Sequence, residues 1–404
     1  MTDARTVVIV GASLAGLRTA ETLRTEGFDG TVVLVGAESH LPYDRPPLSK
    51  QLLAGEWEPD RIALRKADVY ADLAIDVELG RRASALDVEA RRVTLDDGRM
   101  LSYDALVIAT GASCRRLPNQ PKLEGIFELR SLDDALALRT AMSTGSPAVV
   151  VIGAGFIGSE VAATARERGL AVTVLEALPA PLVRGLGTTM GNAVGQLHVD
   201  HGVQLRCGVH VAGFVGTDRV EGVALADGSV IAADIVVVGV GVRPATEWLD
   251  GSGLIIDDGV VCDATLAASA PGVWAAGDVA RWHHGNELMR IEHWTNANEQ
   301  GAHAAQNVLA RFAGAAGTAF ETVPFVWSEQ YGSRISVVGR VGGEDEVKLV
   351  HGSLDERKWV AIYGRAGRLR GAVGLDLPKQ LMAYRKLLLR NATWVDALEH
   401  AAAK

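Results

Sequence analysis

Two stretches of the chain carry the same order of apolar runs and glycines. Residues 6–16 read T-V-V-I-V-G-A-S-L-A-G, and residues 148–158 read A-V-V-V-I-G-A-G-F-I-G. Each is a β-branched run that predicts a strand ending in a glycine-rich turn. Behind each glycine turn the periodicity changes to that of a helix, over 17–26 and 159–168, closed by Gly27 and Gly169. Second apolar strands follow at 31–35 and 171–175, so each stretch is a complete β-α-β unit. Residues 103–111 and 233–241 read as further buried strands, each preceded by a hairpin signal, Asp96-Asp97-Gly98 and Asp227-Gly228. From Pro324 onward S-R-I-S-V-V-G-R, E-V-K-L-V-H-G, K-W-V-A-I-Y-G and R-G-A-V-G-L alternate with turns, and an amphipathic helix runs from Pro378 to Arg390. That predicts an antiparallel sheet with helical cover.

The duplicated turn has a chemical reading. In a G-x-G-x-x-G turn the first glycine permits the tight bend, the second lets backbone approach a pyrophosphate, and the third lets helix pack on strand. The helix N-terminus then offers unpaired N–H groups and partial positive charge to the phosphates. Gly153, Gly155 and Gly158 satisfy the pattern; in the first copy Ser13 replaces the middle glycine between Gly11 and Gly16. Glu176 ends the second strand of the later unit, where a carboxylate binds ribose hydroxyls and repels a 2′-phosphate. In the earlier unit either Glu38 or the backbone of Ala37 takes that place. Asp278 follows a short apolar strand and Gly277 at an expected helix start, where it is a polyol ligand or a helix N-cap.

Composition narrows the function. The chain has 404 residues, and 40 Lys and Arg against 49 Asp and Glu give a net charge of −9. An acidic balance argues against general nucleic-acid binding, and 48% hydrophobic against 22% charged residues argues for a large core. The longest apolar stretch, residues 148–158, is far short of the roughly 18–20 residues that span a bilayer. The N-terminal residues lack a signal-peptide pattern, so a cytoplasmic location is expected. Cys114, Cys207 and Cys262 are scattered and form neither C-x-x-C nor a metal spacing; they read as small buried hydrophobes, and no metal site is expected. Charge is uneven: residues 324–404 hold 13 Lys and Arg against 9 Asp and Glu, a net +4 that leaves −13 elsewhere. Arg365, Arg368, Arg370, Lys379, Arg385 and Lys386 there are candidates for docking an acidic partner, an ordinary solvated surface being the competing reading.

Taken together, G-A-S-L-A-G, L-P-Y-D-R-P-P-L-S-K at 41–50, A-T-G at 109–111, G-A-G-F-I-G-S-E at 153–160 and W-A-A-G-D at 274–278 resemble one family. It is the FAD-dependent, NADH-using ferredoxin reductases of bacterial oxygenase systems, of the putidaredoxin reductase and dioxygenase ferredoxin reductase type. The resemblance implies an α/β fold with two Rossmann-like dinucleotide-binding domains, glutathione-reductase-like, plus a C-terminal α+β domain. The FAD-binding domain is then discontinuous, 1–112 and 243–323, with the NAD-binding domain at 113–242 and the C-terminal domain at 324–404. Gly241-Val242-Arg243-Pro244 marks the return.

The resemblance also implies roles. Gly11, Ser13, Leu14, Ala15 and Gly16 cradle the FAD pyrophosphate, and Arg45, Ala83, Ala109, Thr110, Gly111 and Arg130 line the same cofactor. Gly277 and Asp278 meet its ribitol. Lys50 lies by the isoalloxazine, with His293, Trp294 and Trp327 near the ring; for these aromatic positions core packing is the competing reading. Gly153, Gly155, Phe156, Ile157, Gly158, Glu176 and Arg184 bind NADH, Gly241 lets the nicotinamide approach, and Glu160 contacts its carboxamide and can pair with Lys50. Lys50 and Glu160 are the catalytic candidates. The implied reaction passes hydride from NADH to FAD and then single electrons to an iron-sulfur ferredoxin that feeds an oxygenase. The lack of any cysteine before Cys114 argues against a disulfide reductase. A rubredoxin or monodehydroascorbate-type reductase and an apoptosis-inducing-factor-like NADH-sensing flavoprotein are the alternatives.

Overall fold

A computed structural model describes residues 5–285 and 287–403, which divide into two compact units. The first comprises Met1–Asp44, Asp60–Ser113 and Arg243–Thr322, and the second Arg45–Pro59, Cys114–Val242 and Val323–Lys404. In the first unit T-V-V-I-V forms β1 (Thr6–Val10), followed by α1 (Leu14–Thr25) and β2 (Thr31–Val35). These strands belong to a five-stranded parallel sheet in the order Val273–Ala275, Ala105–Ile108, β1, β2, Ile75–Glu78. Val7, Val8 and Ile9 are wholly buried, as the unbroken apolar run requires of a strand covered on both faces. The chain leaves β1 on one side for β2 and returns on the other as Ala105–Ile108, so the strand order reverses at β1. A ligand crevice lies beyond the carboxyl end of such a strand.

The second unit repeats the plan. β3 (Val149–Ile152), α2 (Phe156–Glu167) and β4 (Val172–Glu176) lie in a parallel sheet ordered Gln204–Cys207, β4, β3, Ile235–Val238, Ile126–Phe127. Both helices start three residues before the positions expected from sequence, because Gly16 and Gly158 lie inside the first helical turn instead of preceding it. α3 (Val183–Asp200) bends at Gly187, whose φ of +71° interrupts the helix. β5 (Phe325–Gln330) heads a five-stranded antiparallel sheet with Ser333–Gly339, Arg368–Leu375, Lys358–Arg365 and Glu346–Ser353. Helices Pro378–Leu388 and Trp394–Ala402 pack on one face through Leu381, Tyr384 and Trp394. Against the other lie Leu186, Met190, Val194 and Leu197 of α3, sharing a core with Ile335, Trp359 and Tyr363. Tyr363 Oη donates to the Leu186 carbonyl at 2.8 Å. α3, from the part read from sequence as an NAD-binding domain, therefore shares a core with the sheet of the part read as a C-terminal domain, while β3, β4 and Ile235–Val238 keep a core of their own.

Two features differ from the sequence expectations. The helix expected to start at Asp278 is one 3-10 turn, Gly277–Val279, after which A-R-W-H-H forms strand Ala280–His284 against Val260–Cys262; pairing along that β-rich run wins over the helix-start signal. Residues 45–59 fall in the second unit although the flanking sequence builds the first. A stripe along α2 and its C-cap, Glu160, Thr164 and Arg168, holds this segment: Thr164 Oγ1 donates to the Ser49 carbonyl and Arg168 to the Leu53 carbonyl. Spacing of four residues places the three side chains on one helical face.

No helix among the described residues is long and apolar enough to cross a membrane. Among them, too, no group of His, Cys, Asp and Glu side chains could hold a metal ion.

Candidate functional site

The two glycine turns have the same geometry for the same steric reason. Gly11 and Gly153 adopt φ of +121° and +100°, and a Cβ on either would lie 2.1 Å from Ala109 O or 2.4 Å from Gly239 O. A Cβ on Gly16 or Gly158 would lie 2.0 or 2.1 Å from the carbonyl oxygen of Gly11 or Gly153. No side chain fits at these four positions. Around Gly155 a Cβ would meet no protein atom within 4 Å. Open space at the N-terminus of α2, facing its unpaired N–H groups, is the setting a pyrophosphate requires. Beside it Ile157 is 48% exposed, while Phe156 turns inward onto the α3 core.

Glu176 serves the turn directly: its carboxylate accepts from Ala154 N at 2.7 Å and Leu178 N at 2.9 Å. Each oxygen keeps a lone pair for a ribose hydroxyl. Arg184 is exposed in the first turn of α3, and Gly241, at φ +102°, follows Ile235–Val238. In the first unit Glu38 accepts from Tyr43 Oη at 2.5 Å, and Ala37 is exposed beside it.

Ala109 and Thr110 lie against Gly11, Gly111 follows them at φ +67°, and Thr110 Oγ1 donates to the Ala245 carbonyl at 2.8 Å. Ala83 is buried at the start of strand Ala83–Asp87. His293 stands at the N-cap position of the helix Trp294–Phe312 without a capping hydrogen bond from its side chain, next to Trp294, whose indole N–H donates to Asp44 at 2.7 Å. Burial holds the His293 imidazole down to about 4 against the opposing pull of Asp278, so it is neutral at physiological pH. Gly277 N donates to Gln300 Oε1 at 2.8 Å. His293 Nδ1 and Gln300 Nε2 are buried without a protein partner. Two such atoms around Gly277 and Asp278 fit a polar ligand, since buried polar groups otherwise find partners. Sequence reasoning missed Gln300, which sits seven residues along the helix from His293.

In the second unit Lys50 and Glu160, 110 residues apart, meet at 2.8 Å. Glu160 is 3% exposed. Its Oε2 also accepts from Ser49 Oγ at 2.5 Å, and Oε1 accepts from Ser328 Oγ at 2.7 Å. Ser49 and Ser328 carry no sequence signal of their own beyond adjoining a candidate, Lys50 or Trp327. The Trp327 ring stacks on Phe325 at 5.7 Å and carries the Arg334 guanidinium at 5.3 Å. Arg45 donates to the Arg130 carbonyl. All three cysteines are free, and burial raises each thiol, Cys262 to about 12.

Two dinucleotide cradles in tandem, with no cysteine pair among the described residues, define a flavin- and nicotinamide-using oxidoreductase without a redox disulfide. Residues 5–301 match the family described as pyridine nucleotide-disulphide oxidoreductase, and residues 325–402 match the reductase C-terminal family. The chain belongs to the pyridine nucleotide-disulphide oxidoreductase family, and within it to the ferredoxin reductases. It is 39% identical to the rhodocoxin reductase of Rhodococcus erythropolis over 95% of this chain and 89% of that one. It is also 39% identical to the chlorobenzene dioxygenase ferredoxin reductase component of Cupriavidus sp. (strain PS12), over 96% and 93%. The crystal structure of the covalent putidaredoxin reductase–putidaredoxin complex superposes with a TM-score of 0.91 at 32% identity, covering 99% of this chain and 98% of that one.

Proposed function

We propose that the protein is an NADH-dependent ferredoxin reductase: it binds FAD in the first unit and NADH in the second, and delivers electrons singly to an iron-sulfur ferredoxin serving an oxygenase. The observation that carries the reading is the pair of glycine cradles, one per unit, whose first and last glycines are closed to a side chain in the same way, in a chain whose relatives are named ferredoxin reductases over nearly their whole length. FAD, when bound, accepts a hydride and releases the electrons one at a time. The chain's residues bind, orient and tune. Gly11, Ser13, Leu14, Ala15 and Gly16 hold one pyrophosphate, while Gly153, Gly155 and Gly158 hold the other. Glu176 selects NADH by accepting from ribose hydroxyls and repelling a 2′-phosphate. Residues 1–112 and 243–323 are assigned to FAD, 113–242 to NADH and 324–404 to the C-terminal domain.

Lys50 is assigned the stabilisation of negative charge that develops as hydride arrives, with Glu160 holding its ammonium. Neutral His293 can give or accept a hydrogen bond at Nδ1, according to its tautomer, without adding charge. Cytoplasmic residence is part of the proposal and follows from the proposed use of NADH, an intracellular reductant. The test is anaerobic stopped-flow mixing with NADH. The FAD-loaded protein should lose its flavin absorbance within the mixing experiment, and Lys50→Ala should slow that loss while retaining most FAD. A flavin that NADH does not reduce would overturn the reading.

A further inference from the structure

Glu160 carries the most heavily bonded carboxylate of the second unit that the cofactor roles use. Lys50 and Ser49 come from the segment at 49–50, but the partner of Oε1 comes from β5 of the antiparallel sheet. Ser328 is itself wholly buried, and Gln330, two residues along β5 on the same face, donates Nε2 to Ser328 Oγ at 3.2 Å. With its lone pair engaged by Gln330, the Ser328 hydroxyl has its own proton directed at Glu160. The register of β5 against Ser333–Gly339 pairs Ser328 with Ile335, a wholly buried core residue, so the hydroxyl's position is set by the sheet.

A carboxylate can rotate about its last bond unless both oxygens are held. Here Oε2 binds the ammonium, and a donor on Oε1 fixes the plane of the group. We propose that Ser328 is a positioning residue for hydride transfer: by holding Glu160 Oε1 it fixes the carboxylate that aims Lys50, tying the antiparallel sheet to the catalytic pair. The inference deepens the ferredoxin reductase reading and rests on it. It also gives the sheet a part in the first half-reaction, separate from any contact with the electron acceptor.

The test is the limiting rate of flavin reduction by NADH in Ser328→Ala, alone and in a Glu160→Gln background, with NADH affinity measured on the same samples. Ser328→Ala should lower the limiting rate about tenfold, the scale of one charge-assisted hydrogen bond, with NADH Kd changed less than about twofold. In the Glu160→Gln background the same substitution should change the rate less than about twofold, because the carboxylate it positions is gone. Ser328→Thr, which keeps the hydroxyl, should restore the rate. An unchanged rate in Ser328→Ala, or an equal loss in both backgrounds, would overturn the proposal. If Ser328→Ala fails to fold, Ser328→Cys carries the same comparison, with its weaker donor expected to slow reduction in the native background alone. Reduction of the wild-type flavin by NADH in the same instrument reports separately on the functional reading.

Discussion

Gly158→Ala and Gly16→Ala should each disable one cofactor and spare the other. An added Cβ at Gly158 would stand 2.1 Å from Gly153 O and 3.3 Å from Val151 Cγ1, whereas real Cβ contacts essentially never fall below 3.0 Å. The start of α2 and the end of β3 must therefore separate by about 0.9 Å or more. Gly153 is packed against Gly239 O on its other side, where an added Cβ would stand 2.4 Å away. A displacement of that size stretches a hydrogen bond of about 2.9 Å to about 3.8 Å, beyond bonding range. Losing one hydrogen bond to a charged phosphate costs about 1.5–3 kcal/mol, which is roughly 10- to 150-fold in affinity. Gly16→Ala produces the same clash, 2.0 Å from Gly11 O, in the other cradle. The assay is FAD content from the purified protein's absorbance ratio, together with an NADH titration. Gly158→Ala should keep its FAD and weaken NADH by at least tenfold, while Gly16→Ala should be isolated with little FAD. Loss of FAD from Gly158→Ala, or NADH binding at wild-type strength, would refute the assignment of one cofactor to each turn.

Glu176→Ala removes the acceptor for Ala154 N and Leu178 N as well as the proposed ribose contact, so NADH kcat/KM should fall about 100-fold or more by steady-state kinetics. For the same reason Glu176→Arg should lose NADH without gaining full NADPH activity. His198 is wholly buried, and burial lowers its pKa from 6.5 to about 4. The unfolded chain therefore binds more protons between those values, so stability is complete above about pH 6.5 and is lost as pH falls toward 4. In a series of thermal melts His198→Asn should flatten that decline. Gly301→Ala would place a Cβ 2.3 Å from Ala15 O, where the helix Trp294–Phe312 crosses α1; it should cost about 1–3 kcal/mol in chemical denaturation and also release FAD.

The parallel sheets were legible because their signal is local. T-V-V-I-V and V-V-V-I are too apolar to face water, and each is followed at once by glycines that no other residue can replace. Helix starts were misplaced by three residues because a glycine inside a first helical turn looks like a loop residue in sequence. The pairing of Lys50 with Glu160 was expected from resemblance to a family, not from any pattern in the chain. Ser49, Ser328 and Gln300 stayed invisible because a buried hydroxyl or amide leaves no periodic mark. Their significance depends on partners more than twenty residues away, or, for Ser328, 168 residues away. The transfer of residues 45–59 to the second unit is a long-range choice of the same kind. Leu52 and Leu53 are apolar enough for either core, and the α2 stripe at 160, 164 and 168 decides which one receives them.

The central claim is that electrons taken from NADH leave the protein through an iron-sulfur partner. Cytochrome c reduction by NADH, followed with and without a purified oxygenase-system ferredoxin, tests it most directly. Reduction should be slow with the protein alone and should rise with ferredoxin concentration to saturation. A rate indifferent to every ferredoxin tried, beside rapid bleaching of the flavin by NADH, would contradict it.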